Sequence, residues 1–190
     1  MMRNQFLFRK ENQLKKTDKS LKQSWDKKII SLCDKINKLE NYYTTSSCSG
    51  RIVLLKDSEE KRDDLFIKVW HNEISAGEIK ETLNKIKGND LIYFKQEPVI
   101  LHVACSNLEN AQKLMNLAMN SGWKRNGVIA SDKRVVVELN ATEKLEFPIF
   151  RKEILVSDDY LKLIVKEANK NLKLGWGKIE RLEDNLKKLS

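Results

Sequence analysis

At 190 residues the chain can bury a core of its own without disulfide or metal staples, and a 41% hydrophobic content fits a folded soluble protein. No apolar run approaches the roughly 20 residues of a membrane span, and the apolar patch Phe6 to Phe8 is too short for a secretory signal. The net charge of +9 is concentrated, because residues 1–40 carry eleven Lys and Arg against five acids. Such a distribution points to a polyanion, nucleic acid above all, or to a lysine-rich solvated surface; an anionic membrane fits less well, because the segment lacks a broad apolar face.

Residues 3–16 suit a helix. Ser24 is placed to cap a second, with Trp25, Ile29, Leu32, Cys33, Ile36 and Leu39 on one stripe. Strands follow at about 42–47, 50–55 and 65–71, with a charged, turn-like stretch over 57–64. Ser75-Ala76-Gly77-Glu78 reads as a capping box, with Ala76, Ile79, Leu83 and Ile86 inward and Gly88 as the stop. Ser106-Asn107-Leu108-Glu109 reads as another, with Leu108, Ala111, Leu114, Met115 and Ala118 inward and Gly122 as the stop. Each follows a strand that contains a histidine, so an internal strand–helix duplication is open. Val99 to Cys105 is nearly all apolar and should be a central strand buried on both faces.

Strands at about 127–131 and 134–139 form a hairpin through Asp132-Lys133, and Leu145 to Phe150, broken by Pro148, suits an edge. The tail is helical from Ser157, with one stripe at Leu161, Ile164, Val165, Ala168 and Leu172. A second stripe at Ile179, Leu182, Leu186 and Leu189 follows an interruption at Gly175-Trp176-Gly177. The expected fold is α+β: a mixed or mostly antiparallel sheet with flanking helices and a long C-terminal helix. One domain over 1–190 is expected, with 1–22 a basic N-terminal segment open to mobility.

The stretch most suggestive of chemistry is Tyr42-Tyr43-Thr44-Thr45-Ser46-Ser47-Cys48-Ser49-Gly50-Arg51. Packed hydroxyls, backbone N–H groups beside a glycine and one guanidinium suit an anionic or strongly polar ligand, or a tight strand connection. Cys48 is either a thiol activated by Arg51 or a small strand residue without chemistry. His71 and His102, the sole histidines, are either bases or satisfied structural residues. Trp123-Lys124-Arg125-Asn126 offers an aromatic plane beside two cations, or a solvated loop. No P-loop, no G-x-G-x-x-G after a strand, no HExxH and no nucleophile elbow is present. The three cysteines show no CxxC spacing, so no disulfide framework or metal is expected, and a reducing cytoplasm is the default.

Five motifs in order resemble those of the wybutosine-synthesis tRNA methyltransferases, the third enzyme type of that pathway. Asp18-Lys19-Ser20-Leu21-Lys22, followed by Asp26, is similar to the family's Asp-Arg/Lys-Ser-x-Lys-Gly-x-x-Asp segment. Asn37 and Tyr42 through Arg51 resemble its Tyr-Thr-Thr-Ser-Ser-Cys-Ser-Gly-Arg motif. His71 matches a histidine ending the next strand. Glu97-Pro98-Val99-Ile100-Leu101-His102-Val103-Ala104-Cys105 resembles a Glu-Pro-x-x-Leu-His-Val-x-Cys strand, and Gly122 through Val128 a Gly-aromatic-Lys-x-Ser-Gly-Ile segment. Gln23 stands where the family has glycine, and Asn126 where it has serine.

The resemblance implies methyl transfer from S-adenosylmethionine to N4 of a tricyclic demethylwyosine-type base, next to the anticodon of phenylalanine tRNA. It implies that Ser46, Ser47, Ser49, Gly50, Arg51, Asp18, Ser20, Lys22, Asp26 and Asn126 bind the base or the donor, and that His102 or His71 takes the N4 proton. Lys15, Lys16, Lys19, Trp123, Lys124 and Arg125 would then contact the anticodon loop. The donor site has no Rossmann glycine loop to use. The competing readings are a non-catalytic tRNA-binding protein of the same fold and a thiol-dependent enzyme using Cys48.

Overall fold

A computed structural model describes residues 2–15, 26–57 and 65–189. In chain order the elements are α1 (Met2–Leu14), α2 (Ile30–Lys38), β1 (Tyr42–Cys48), β2 (Arg51–Lys56), β3 (Phe66–Trp70), α3 (Ala76–Asn84), β4 (Ile92–Glu97), β5 (Ile100–Cys105), α4 (Leu108–Asn120), β6 (Arg125–Ala130), β7 (Val135–Asn140), β8 (Leu145–Arg151), β9 (Glu153–Ile154) and α5 (Asp158–Asn185), closed by a 3-10 turn over Leu186–Leu189. The α+β class, the antiparallel sheets with flanking helices and the long C-terminal helix are as the sequence indicates. The chain forms two compact units, one of residues 1–49, 99–142 and 176–190, the other of residues 50–98 and 143–175.

In the first unit a four-stranded antiparallel sheet runs β1-β5-β7-β6. Period-two alternation gives it one largely apolar face. Leu101, Val103 and Cys105 of β5 and Val137 and Leu139 of β7 pack on Ile29, Leu32, Cys33 and Ile36 of the α2 region. Ala111, Leu114 and Ala118 of α4, with Ile179, Leu182 and Leu186 of the tail, complete that core. The opposite face is covered at one end, where α1 lays Phe6 on Tyr43 at 5.2 Å between ring centroids, above Ala104 and Val136.

In the second unit a five-stranded antiparallel sheet runs β3-β2-β4-β8-β9. Phe94 and Phe147 stack at 5.3 Å, and Tyr160 of α5 meets Phe147 edge-on at 6.4 Å. Pro148 is tolerated in β8 because β9 pairs only with Phe150 and Arg151. The Ser75 capping box forms as read: Ser75 Oγ accepts from Glu78 N at 3.2 Å, and Glu78 Oε2 accepts from Ser75 N at 2.8 Å.

Three expectations are corrected. The N-cap of α4 is Asn107, whose Oδ1 accepts from Asn110 N at 2.8 Å, one residue later than the Ser106 box. Ser106 is engaged instead with the Asn41 side chain at 2.9 Å, and the shift leaves Leu108 60% exposed. The Gly175-Trp176-Gly177 segment does not interrupt the helix; α5 runs straight through it. Two helix glycines cost about 1 kcal/mol each, a sum outweighed by stripes buried before and after them and by Trp176 Nε1 donating to Ser49 O at 3.1 Å. Val99 to Cys105 is not buried on both faces: Ile100 and His102 are half-exposed. The Ser24 cap and Trp25 lie outside the described residues.

Candidate active site

The open face of the first unit's sheet carries a continuous hydrogen-bonded chain of three side chains. Ser46 Oγ lies 2.8 Å from His102 Nδ1, and His102 Nε2 lies 2.8 Å from Glu138 Oε2. The strands place these groups side by side: His102 is the ladder partner of Ser46 on one side and of Glu138 on the other. A carboxylate accepts only, so Nε2 carries the ring proton and donates to Glu138. In the neutral ring Nδ1 is then the acceptor and Ser46 Oγ–H the donor. Ser46 is exposed, while His102 and Glu138 side chains are 26% and 35% exposed. The hydroxyl is thus the outward end of a hydroxyl–imidazole–carboxylate chain.

A β-bulge makes this possible. Thr44 pairs with Val103 and Ser46 with His102, so Thr45 is the extra residue. Without it the period of two would turn Ser46 onto the apolar face. Asn37 fixes the start of the bulge: its Oδ1 accepts from Thr44 N at 2.8 Å, and its Nδ2 donates to Thr44 Oγ1 at 3.1 Å.

Ser47 and Ser49 are placed differently from Ser46. Ser47 pairs with Leu101 on the core side, and its hydroxyl bonds the Cys33 thiol. Ser49 is fully buried; its N–H and Oγ donate to Asp26 Oδ2 at 3.1 and 2.5 Å. Asp26 and Ser49 therefore lock the end of β1 to the chain entering α2. Gly50 then takes φ 88°, a conformation that disfavours any side chain, as the chain passes to β2.

Arg51 opens β2 in the second unit. Its Nε donates to Glu97, its ladder partner on β4, at 2.5 Å, and its guanidinium lies 5.2 Å from the Phe66 ring. The arginine is thus committed to an ion pair and an aromatic face. His71 follows the end of β3 and is half-buried.

Trp123 does not offer a stacking plane. It is fully buried in the first core, with Nε1 donating to Lys178 O at 3.0 Å. Asn126 holds the loop below it, donating to Trp123 O at 2.9 Å. Lys15, Lys124 and Arg125 are exposed. Lys16, Asp18, Lys19, Ser20 and Lys22 lie outside the described residues.

Glu138 is the member that sequence reasoning missed. Its signal was present: one acid in the otherwise apolar run Val135-Val136-Val137-Glu138-Leu139. An acid there needs a partner, and His102 is the corresponding lone polar residue of β5.

Burial pushes the thiols of Cys33 and Cys105 up to about 12. Both are inert at neutral pH.

The family profile described as "Methyltransferase TYW3" matches residues 4–188. A protein of Thermococcus sibiricus named tRNA(Phe) 7-((3-amino-3-carboxypropyl)-4-demethylwyosine(37)-N(4))-methyltransferase is 41% identical over 168 residues, covering 86% of this chain and 85% of its own length. A protein of the same name from Methanocaldococcus jannaschii is 38% identical over 153 residues, covering 78% of this chain and 79% of its own. Among solved structures, the PH1069 protein of Pyrococcus horikoshii superimposes with a TM-score of 0.90 at 34% identity, covering 100% of this chain and 98% of that one. A hypothetical protein from Aeropyrum pernix gives a TM-score of 0.72 at 27% identity, covering 83% of this chain and 95% of that one.

Proposed function

The chain belongs to the TYW3 methyltransferase family, and we propose that it methylates N4 of 7-(3-amino-3-carboxypropyl)-4-demethylwyosine at position 37 of phenylalanine tRNA, with S-adenosylmethionine as donor. The observation that carries a catalytic role for this chain's own residues is the Ser46–His102–Glu138 chain. S-adenosylmethionine supplies a methyl already activated on a sulfonium, so positioning and exclusion of water carry much of the rate.

As the S–CH3 bond breaks with its electron pair left on the donor's sulfur and the methyl joins N4, the N4 proton would pass to Ser46 Oγ while the Ser46 hydroxyl proton passes to His102 Nδ1. Glu138 holds the ring in the tautomer that leaves Nδ1 free to accept, and faces the imidazolium that results. Ser46 touches the base; His102 and Glu138 act through it.

The residues nearby suit a donor with an amino-acid end. Asn140 Oδ1 is buried and, among the described residues, has no hydrogen-bond partner. Its ladder partner on β6 is Arg125, and a Cβ added at Gly127, the ladder partner of Glu138, would meet nothing within 4 Å. An orphan acceptor beside open space would hold an ammonium, while Arg125 stays with the RNA. The aminocarboxypropyl arm of the base carries the same chemistry. Asp26, Ser49 and Gly50 shape the motif from within; Arg51 braces the strand that follows it.

No helix among the described residues is long and apolar enough to cross a membrane. The free thiols Cys33, Cys48 and Cys105 suit a reducing cytoplasm, where we place the protein. The non-catalytic reading gives way to relatives named as methyltransferases.

The test is direct. Purified protein is incubated with methyl-labelled S-adenosylmethionine and tRNA carrying the aminocarboxypropyl tricycle, and the nucleoside is identified by mass and fragmentation. Methyl on N4 is the expected result; label elsewhere, or none, overturns the assignment.

A further inference from the structure

We propose that the β6–β7 hairpin, joined to α1, is a phosphate-binding ridge that grips the anticodon arm of the tRNA. This rests on the tRNA reading above and adds a surface to it.

Several surface cations elsewhere are neutralised. Lys80 pairs with Asp158, Lys85 with Glu81, Lys113 with Glu109, Lys170 with Glu167 and Lys173 with Glu73, at 2.6–3.0 Å. The hairpin differs. Over residues 121–137 the sequence has four cations, Lys124, Arg125, Lys133 and Arg134, against the single acid Asp132. All four are exposed, and among the described residues none is in an ion pair. A cluster of exposed cations with one acid among them is what counterion release on RNA exploits.

The fold adds a cation from elsewhere in the chain. Arg9 of α1 donates to the Lys133 carbonyl, so the basic N-terminal helix and the hairpin tip form one feature. Lys124 and Arg125 sit at the start of β6, and Lys133 and Arg134 beyond its end. A strand of that length separates the two pairs by roughly 17 Å, enough to reach more than one backbone phosphate.

The edge strand itself favours RNA over a pairing protein strand. β6 is the outer strand of its sheet, but the ladder shifts between Val128 and Ala130, and such a bulge breaks the straight row of donors and acceptors that a new strand needs. Ile129, 54% exposed, projects from that irregularity between the two pairs of cations.

The test uses the full chain with tRNA carrying the precursor base and no methyl donor. Affinity is measured against salt for wild type, for Lys133→Gln/Arg134→Gln, for each single variant, and for a control, Lys113→Gln/Lys170→Gln, that removes paired lysines. Removing two phosphate contacts should make the slope of log affinity against log salt shallower by about 1.4–1.8, with half that for each single variant. The control should keep the wild-type slope. A double variant with the wild-type slope overturns the ridge while leaving the tRNA reading standing. Wild type that binds no tRNA overturns both. A third arm uses phosphatidylserine vesicles: capture by wild type that the double variant loses, with tRNA binding unchanged, assigns the cations to a membrane surface and overturns the proposal.

Discussion

Ser46 and Ser49 are separated by two residues of one strand and its exit, yet they do opposite things. Ser46 points to the open face and donates to His102; Ser49 is fully buried and is held by Asp26. Ser47 between them faces the core and the Cys33 thiol. The difference comes from a single extra residue in the ladder at Thr45. A run of hydroxyls is thus divided into one outward-facing end and an internal clamp. Hydroxyl-rich motifs are better read by which face each oxygen occupies than by their composition.

The largest effect should come from the middle of the relay. His102→Gln keeps a polar side chain but removes the proton acceptor, and should lower kcat/KM by about 10²–10⁴-fold, with tRNA affinity unchanged. His71→Gln should cost far less. Equal losses in the two variants would break the distinction between the histidines.

Ser46 and Ser49 should separate next by stability against turnover. Ser49→Ala removes one of the two bonds that Ser49 gives Asp26 Oδ2 and should destabilise by about 1–3 kcal/mol, seen as a lower Tm. Ser46→Ala removes an exposed hydroxyl and should change stability by no more than about 0.5 kcal/mol, leaving Tm close to wild type. A melt lowered by Ser46→Ala and untouched by Ser49→Ala would reverse the assignment.

Arg51 offers a smaller and different contrast. Its pair with Glu97 is about one-third exposed, so Arg51→Ala should cost only about 0.5–1.5 kcal/mol, including the contact with Phe66. Arg51→Lys should recover little, because lysine lacks the planar fork. A catalytic loss far larger than the change in Tm would show that the guanidinium also meets a ligand.

The smallest effects concern the thiols. Cys48 is half-buried and should react first with a maleimide, Cys33 and Cys105 only on unfolding. The same burial predicts an alkaline limit. Folded Cys33 and Cys105 hold their protons to about 12 against an ordinary value of 9.0, so the unfolded chain releases protons first. Stability should be complete below about pH 9 and fall as pH rises from there toward 12, which Tm measured across that range would show.

Much of this was legible in the sequence, for local reasons. The Ser75 box was readable because capping is decided within four residues. The stripes of α2 and α5 were readable because burial follows the helical period. What failed depended on distant partners. Trp123 beside two cations looks like an RNA-stacking site, but α5 supplies its hydrogen-bond acceptor and the core takes its ring. Gly175 and Gly177 look like a break, but packing overrides propensity. The motif marked β1 as the site, while the bulge that aims Ser46 has no signature of its own, because it exists only against β5. Glu138 could have been found as the lone acid of β7, yet its meaning required His102 beside it.

The most direct measurement is single-turnover methyl transfer, with labelled donor added to tRNA already bound by wild type, Ser46→Ala or Ser47→Ala. The relay predicts that Ser46→Ala slows the chemical step by about ten- to a hundred-fold, while Ser47→Ala, whose hydroxyl faces the core, stays near wild type. Equal rates for Ser46→Ala and wild type, or equal losses in both variants, would contradict it.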